Sequence, residues 1–160
     1  MSLQRLVFAV FLVMWIAICG CDLGQSPGHD PQYVKIYFKY FFRNSVDTFN
    51  GTLTKDLAAD GTITVAFWLT TEQQDSILVE VVRSDFYDLP DTLFENPHIH
   101  LEPDPGPQAL RIEVDGRAHQ VVWYTTSSNQ QILRLSQFIR DLVHSTPEYK
   151  NLPPARGGYL

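Results

Sequence analysis

Two Asp-Gly dipeptides, Asp60-Gly61 and Asp115-Gly116, each stand between stretches in which apolar and polar residues alternate. Asp-Gly readily takes the positive φ angles of a tight two-residue turn, so each pair predicts a β-hairpin. The first hairpin is expected to join Thr52–Leu57 to Thr62–Leu69, and the second Gln108–Val114 to Arg117–Tyr124. Strands joined by tight turns pair antiparallel, which restricts the fold more than any feature of composition.

A further strand is expected over Gln32–Arg43. There Val34, Ile36, Phe38, Tyr40 and Phe42 form one face, and Tyr33, Lys35, Tyr37, Lys39 and Phe41 the other. After the first hairpin, the hydroxyls of Thr70 and Thr71 with Gln73 and Gln74 three residues on form a capping box. The stripe Ile77, Leu78, Val81, Val82 then has helical spacing, and the helix should end near Ser84. Phe86 and Leu89 are expected to tuck back onto the core. Thr125–Asn129 offers caps for a second helix with the stripe Ile132, Leu133, Leu135, Phe138, Ile139, Leu142, Val143.

The expected order is β-ββα-ββα: a two-layer α+β domain with a mainly antiparallel sheet and both helices on one face. The two hairpin-helix units also match at an offset of 55 residues. Asp60-Gly61 meets Asp115-Gly116, Trp68 meets Trp123, Thr70-Thr71 meets Thr125-Thr126, and Ile77-Leu78 meets Ile132-Leu133. An internal duplication would give that pattern.

Helices on one face leave the other bare. Alternation assigns Thr62, Thr64, Ala66 and Trp68 to the bare side, and the duplication would put Trp123 there too. Tyr33, Lys35, Tyr37, Lys39 and Phe41 would join them. An aromatic sheet face without cover marks an interaction surface, with Tyr37, Trp68 and Trp123 as candidate binding residues. The competing reading is that the segment from Phe86 to Pro107, or the C-terminal tail, folds over this face. Lys35 and Lys39 also suit an edge strand guarded against aberrant pairing.

The N-terminal residues concern location. Arg5 precedes the apolar run Leu6–Ile18, too short for a spanning helix and the right length for a signal peptide. The run ends in Ile18-Cys19-Gly20-Cys21, which resembles the bacterial lipobox, with Cys19 standing where a small or hydroxylated residue is commoner. That resemblance implies cleavage after Gly20 and a lipidated Cys21 as the new N-terminus. Residues 1–20 are thus expected to be a lipoprotein signal, 21–31 a Gly- and Pro-rich tether, 32–145 one folded domain and 146–160 a tail packing on it. Asp22 resembles an inner-membrane retention signal of some Gram-negative bacteria. Multiple acyl chains would hold the protein on a membrane outside the cytoplasm. Without Cys19, the mature chain has no second cysteine for a disulfide.

Removing Arg5 leaves eleven basic side chains against eighteen acidic ones, a net charge of −7. That balance excludes nucleic acid as a partner and argues against lying flat on anionic lipid. No Gly-rich phosphate loop, G-x-S-x-G elbow, C-x-x-C pair or H-E-x-x-H motif is present. No catalytic residue and no cofactor is expected.

The stretch NPHIHLEPD carries the strongest hint of chemistry. In extended backbone His98, His100, Glu102 and Asp104 would point the same way. His98, His100 and Glu102 are the candidate metal ligands, with His119 or His29 to complete the set. Against this, Pro97, Pro103, Pro105 and Pro107 make a proline-stiffened surface loop the better reading. Glu102 and Asp104 on one loop do not make the cleft that acid-base catalysis requires. Tyr124–Gln131 reads as a strand end and helix caps rather than a polar pocket. His144 should complement the dipole of the last helix.

From Val34 to Val143 the layout resembles two bacterial families. One is an uncharacterised α+β domain of small envelope lipoproteins, through Asp60-Gly61, Phe86-Tyr-Asp-Leu89 and Val114-Asp-Gly-Arg117. The other is the emfourin family of metalloprotease inhibitors, through the helix, Phe-Tyr-Asp-Leu-Pro and the hairpin after it. Both resemblances imply a non-enzymatic binding module. The expected function is a lipid-anchored envelope protein that binds an envelope or secreted protein, or a cell-wall component. A metal-binding protein or metal-dependent enzyme using His98 and His100, and a purely structural envelope component, are the alternatives.

Overall fold

The computed structural model describes residues 30–93 and 101–159. The expected signal segment, Cys21, most of the tether, His29, His98 and His100 lie outside those residues. The alternating stretch becomes strand β1 (Val34–Tyr40), with Val34, Ile36, Phe38 and Tyr40 buried. Strand β2 (Asn44–Asp47) returns antiparallel beside it, setting Val46 opposite Phe38. The first hairpin is β3 (Thr52–Asp56) and β4 (Thr62–Ala66), with Leu53 opposite Val65. Helix α1 spans Thr71–Arg83, followed by a 3-10 turn at Phe86–Asp88 and the two-residue strand β5 (Thr92–Leu93). The second hairpin is β6 (Gln108–Val114) and β7 (Arg117–Trp123). Helices α2 (Gln130–Ser145) and α3 (Pro147–Lys150) complete the order.

The result is an α+β fold with a seven-stranded mixed sheet, ordered β4-β3-β2-β1-β6-β7-β5. All neighbours are antiparallel except β5 and β7. Ile77 and Val81 of α1 and Ile132, Leu135, Ile139 and Val143 of α2 share one core with the inward residues of β1, β2, β3, β6 and β7. Both main helices therefore cover the same face. Their starts follow the local chemistry: Thr70 caps α1 in a capping box with Gln73, and the Asn129 side chain accepts from Ile132 N–H to cap α2. Phe86 and Leu89 are buried as expected.

Several placements differ from expectation, among them the two-residue β5, parallel to β7, and the first hairpin turn, where Ala58 and Gly61 rather than Asp60 take positive φ. The strand β2 is additional, because the chain reverses at Phe41 and Phe42, which take φ of 34° and 61°. The Asn44 side chain holds this turn by donating to the Phe41 carbonyl at 2.8 Å. Positive φ at a phenylalanine is rare and leaves no trace in composition. That turn also swings Phe41 to the helix side, where Arg140 lies over its ring at 4.8 Å. Tyr33 likewise leaves the bare face, since its hydroxyl donates to Asp75 on α1, and that bond pushes its pKa up to about 12. Lys35 and Lys39 guard no edge, because β1 is the central strand.

Trp123 differs as well. It is fully buried on the helix side, 6.3 Å from Phe38 in a stacked arrangement. The register decides this: Trp123 pairs with Gln108 on the same side as Leu110 opposite Val121. Trp68 lies beyond the end of β4, its ring against Gly51, where a Cβ would collide with it. Gly51 also holds φ at +65°, which side chains disfavour.

Trp123→Ala should therefore destabilise the domain by about 3–5 kcal/mol in urea unfolding, as expected for a buried large aromatic. Gly51→Ala should cost roughly 1–3 kcal/mol through overpacking against Trp68. Either variant unfolding at the wild-type midpoint would contradict these placements.

Candidate functional site

The face of the sheet away from the helices is built by the alternate residues that the core does not use. Reading across the register, Thr64, Thr54, Ser45, Lys39, Ala109 and Val122 form one row. Ala66, Thr52, Asp47, Tyr37, Arg111 and Gln120 form the next. One half is therefore a bed of hydroxyls, tied together where Thr54 and Thr64 share a 2.8 Å hydrogen bond. The other half carries the charges and the rings.

Asp47 organises the middle of this face. Its carboxylate accepts from the backbone N–H groups of Phe49 and Asn50 at 3.0 and 3.1 Å, and from the Asn50 side chain. These bonds set the loop that carries Phe49 over the sheet. Arg111 then stacks on the Phe49 ring at 4.9 Å, with Lys35 at 5.9 Å. Glu113 lies 3.6 Å from Arg111 and 4.0 Å from Lys35, long ion pairs on partly exposed side chains. The Lys39 side chain is exposed and makes no hydrogen bond or ion pair among the described residues. The Tyr37 hydroxyl is likewise without a protein partner there. With Asp47 occupied by its own loop, the centre of this face is cationic in a chain whose net charge is −6.

At one corner the C-terminal residues close the hydroxyl half. Arg156 bridges to Ala58, its N–H donating to Leu57 O and its carbonyl accepting from Ala59 N–H. This brings Tyr159 flat onto Phe42 with ring centroids 3.9 Å apart. Its hydroxyl donates to the buried Asp56 carboxylate, which also accepts from Arg43 and from Ala58 N–H. Burial pushes the Asp56 carboxyl up, but the bonds from Tyr159, Ala58 and Arg43 outweigh it and hold the pKa below its ordinary value. The cluster is a structural clasp with every partner satisfied.

Of the candidate binding residues, Tyr37 stands on the open face, Trp68 lies at its margin and Trp123 is in the core. Arg111 and Phe49 are the contributors that alternation did not single out. Their signal was Asp47-x-x-Asn50, an Asx-type turn that lifts Phe49 onto Arg111. Trp68 also lines an open cleft of about 400 Å³ with Asp30, Thr70 and Glu148. Asp30 is already engaged there, accepting from Thr71 N–H and its hydroxyl.

Two of the candidate metal ligands, His98 and His100, lie outside the described residues. Glu102 is exposed, and no group of three or more His, Cys, Asp and Glu side chains gathers among the described residues. His119 has its Nε2 2.9 Å from the Leu89 carbonyl and its Nδ1 3.7 Å from Asp91, so both nitrogens face partners of its own. His144, in the last turn of α2, is hydrogen-bonded to Tyr40 at 3.2 Å and stacked on Tyr149, and burial and then Arg140 push its pKa down, which weakens it as a cation for the helix dipole.

Acid should strip the Asp56 clasp. Its folded pKa lies below the unfolded carboxylate value of about 3.9, so its stabilisation is complete above that value and is lost as pH falls through the folded pKa. Tyr159→Phe should lower the melting temperature by a few degrees at pH 7, and the difference from wild type should shrink as pH falls below 4. A gap that stays constant down to pH 2 would exclude Asp56 as the group involved. Comparison with protein-family models, curated proteins and solved structures finds no match for this chain.

Proposed function

We propose that this chain is a lipid-anchored protein of the bacterial cell envelope whose domain is a non-enzymatic binding module. The observation that carries the binding role is the open sheet face: Tyr37, Lys39, Arg111 and Phe49 stand together, and among the described residues no helix layer lies over them. Uncovered aromatic and cationic groups in an acidic chain suit a partner that presents carboxylates, whether an envelope or secreted protein or a cell-wall component. Support for the anchor is the lipobox-like Ile18-Cys19-Gly20-Cys21 behind a short apolar run. We also read the matches at an offset of 55 residues as the trace of a duplicated hairpin-helix unit. In its favour, Ile77 and Ile132 occupy the same core and are both fully buried.

The anchor predicts that Cys21→Ser abolishes fatty-acid labelling and moves the protein out of the membrane fraction. The binding role predicts that crosslinking in intact cells captures a stoichiometric partner. Tyr37→Ala or Lys39→Glu should reduce that capture at least tenfold while leaving the melting temperature within a few degrees of wild type. Capture indifferent to both substitutions would remove this face from consideration. A metal retained on purification and lost in His98→Ala would establish the metal-binding alternative instead.

A further inference from the structure

The sheet ends in β4, and among the described residues this edge is unguarded. Leu57 N–H donates to Gly61 O, and Phe67 N–H donates to Gly51 O, both at 2.9 Å. With Leu53 opposite Val65, this phase makes the odd-numbered residues of β4 bond inward to β3. The backbone N–H and C=O groups of Thr62, Thr64 and Ala66 therefore point away from the sheet, and no described residue bonds to them. Exposed edges are normally blunted by lysine, proline, a bulge or a covering element. The strand Thr-Ile-Thr-Val-Ala contains none of these. The lysines of the sheet's open face are spent on the central strand β1, where no edge needs them.

We propose that β4 is the site of self-association, pairing antiparallel with β4 of a second copy about a two-fold axis at Thr64. The strand is complementary to itself in that register. Thr62 faces the second copy's Ala66, so small side chains meet on the open face. Ile63 faces the second copy's Val65, both of them half-buried against the core margin. At the axis, the outward N–H and C=O of each Thr64 bond to those of the other. The hydroxyl row Ser45, Thr54, Thr64 then runs on into the same row of the second copy.

Charge selects a second copy over a foreign strand. Two chains of net charge −6 repel, and β4 is a segment where they meet with no ionised side chain opposing another. A foreign strand drawn to this acidic chain would be recognised by carboxylates along the edge, and β4 offers none. The two joined sheets leave both cationic faces free, so self-association and partner binding do not compete.

The full chain purified in detergent tests this by sedimentation and by cysteine pairing under mild oxidation, with the parent chain setting the background from any unprocessed Cys19 or Cys21. The parent should sediment as a dimer, and Thr64→Lys should raise the dissociation constant at least tenfold. Thr64→Cys should form a disulfide-linked dimer in high yield, because identical residues face each other at the axis. Ala66→Cys, which faces Thr62 instead, should form little. A monomeric parent, equal crosslinking at both positions, or a Thr64→Lys dimer as tight as wild type with an unchanged circular dichroism spectrum would each overturn the proposal.

Discussion

The pairing of β1 on both of its edges is the interaction on which the rest of this structure depends. Its inward residues Val34, Ile36, Phe38 and Tyr40 are the floor on which both helices sit. Its outer edges hold β2 on one side and β6 on the other, so every other strand is placed relative to it. Where those neighbours stop, side chains take over the backbone bonds. Gln74 of α1 accepts from the N–H groups of Tyr33 and Val34 at 2.9 and 3.1 Å, and Thr48 accepts from Ile36 N–H at 2.8 Å. A buried N–H without a partner is costly, so these two residues are as necessary to the strand as its apolar face. Gln74 does more, since its amide also donates to Pro31 and thereby sets the start of β1 against the start of α1.

Among the described residues the helices cover one side of the sheet only, and this has two consequences for function. The first is the open face, where polar residues are stable without cover because water satisfies them and the Asp47 loop holds the apolar ring of Phe49 against Arg111. The second is that edges matter. The seven strands do not close on themselves, and the edges are handled unequally: β5 is two residues long, whereas β4 presents five uncharged residues. The C-terminal residues clasp the Leu57–Ala59 corner beside that strand through Arg156 and Tyr159, fixing the geometry of the hairpin without covering its outer edge.

Much of this was legible before folding. The Asp115-Gly116 turn, the Thr70 capping box, the cap among Thr125–Asn129 and the inward return of Phe86 and Leu89 all rest on contacts within a few residues, whereas the first hairpin turns with Ala58 and Gly61, not Asp60, at positive φ. Such local chemistry acts the same way in any context. The turn at Phe41 and Phe42 was not legible, because residues that normally avoid positive φ are forced into it by the pairing of β2 with β1. Part of the candidate site shared that fate. Tyr37 could be assigned to the open face from alternation alone, but Arg111 became its neighbour only through the register of β1 with β6.

By itself, then, the order of residues determined both main helices and the strands of β1 and the two hairpins, which side of β1 is apolar, and the acidic balance against which any cationic patch stands out. Tertiary structure alone decided that β1 is central, that β4 is an edge, and that Trp123 is core while Trp68 lies beyond its strand. The reason is physical. Turn and cap preferences act over a few neighbouring residues, whereas the position of a strand in a sheet depends on which distant segments best satisfy its backbone and bury its face together. Matched tryptophans at one spacing cannot carry that information, because a single step of register sends a side chain to the opposite face.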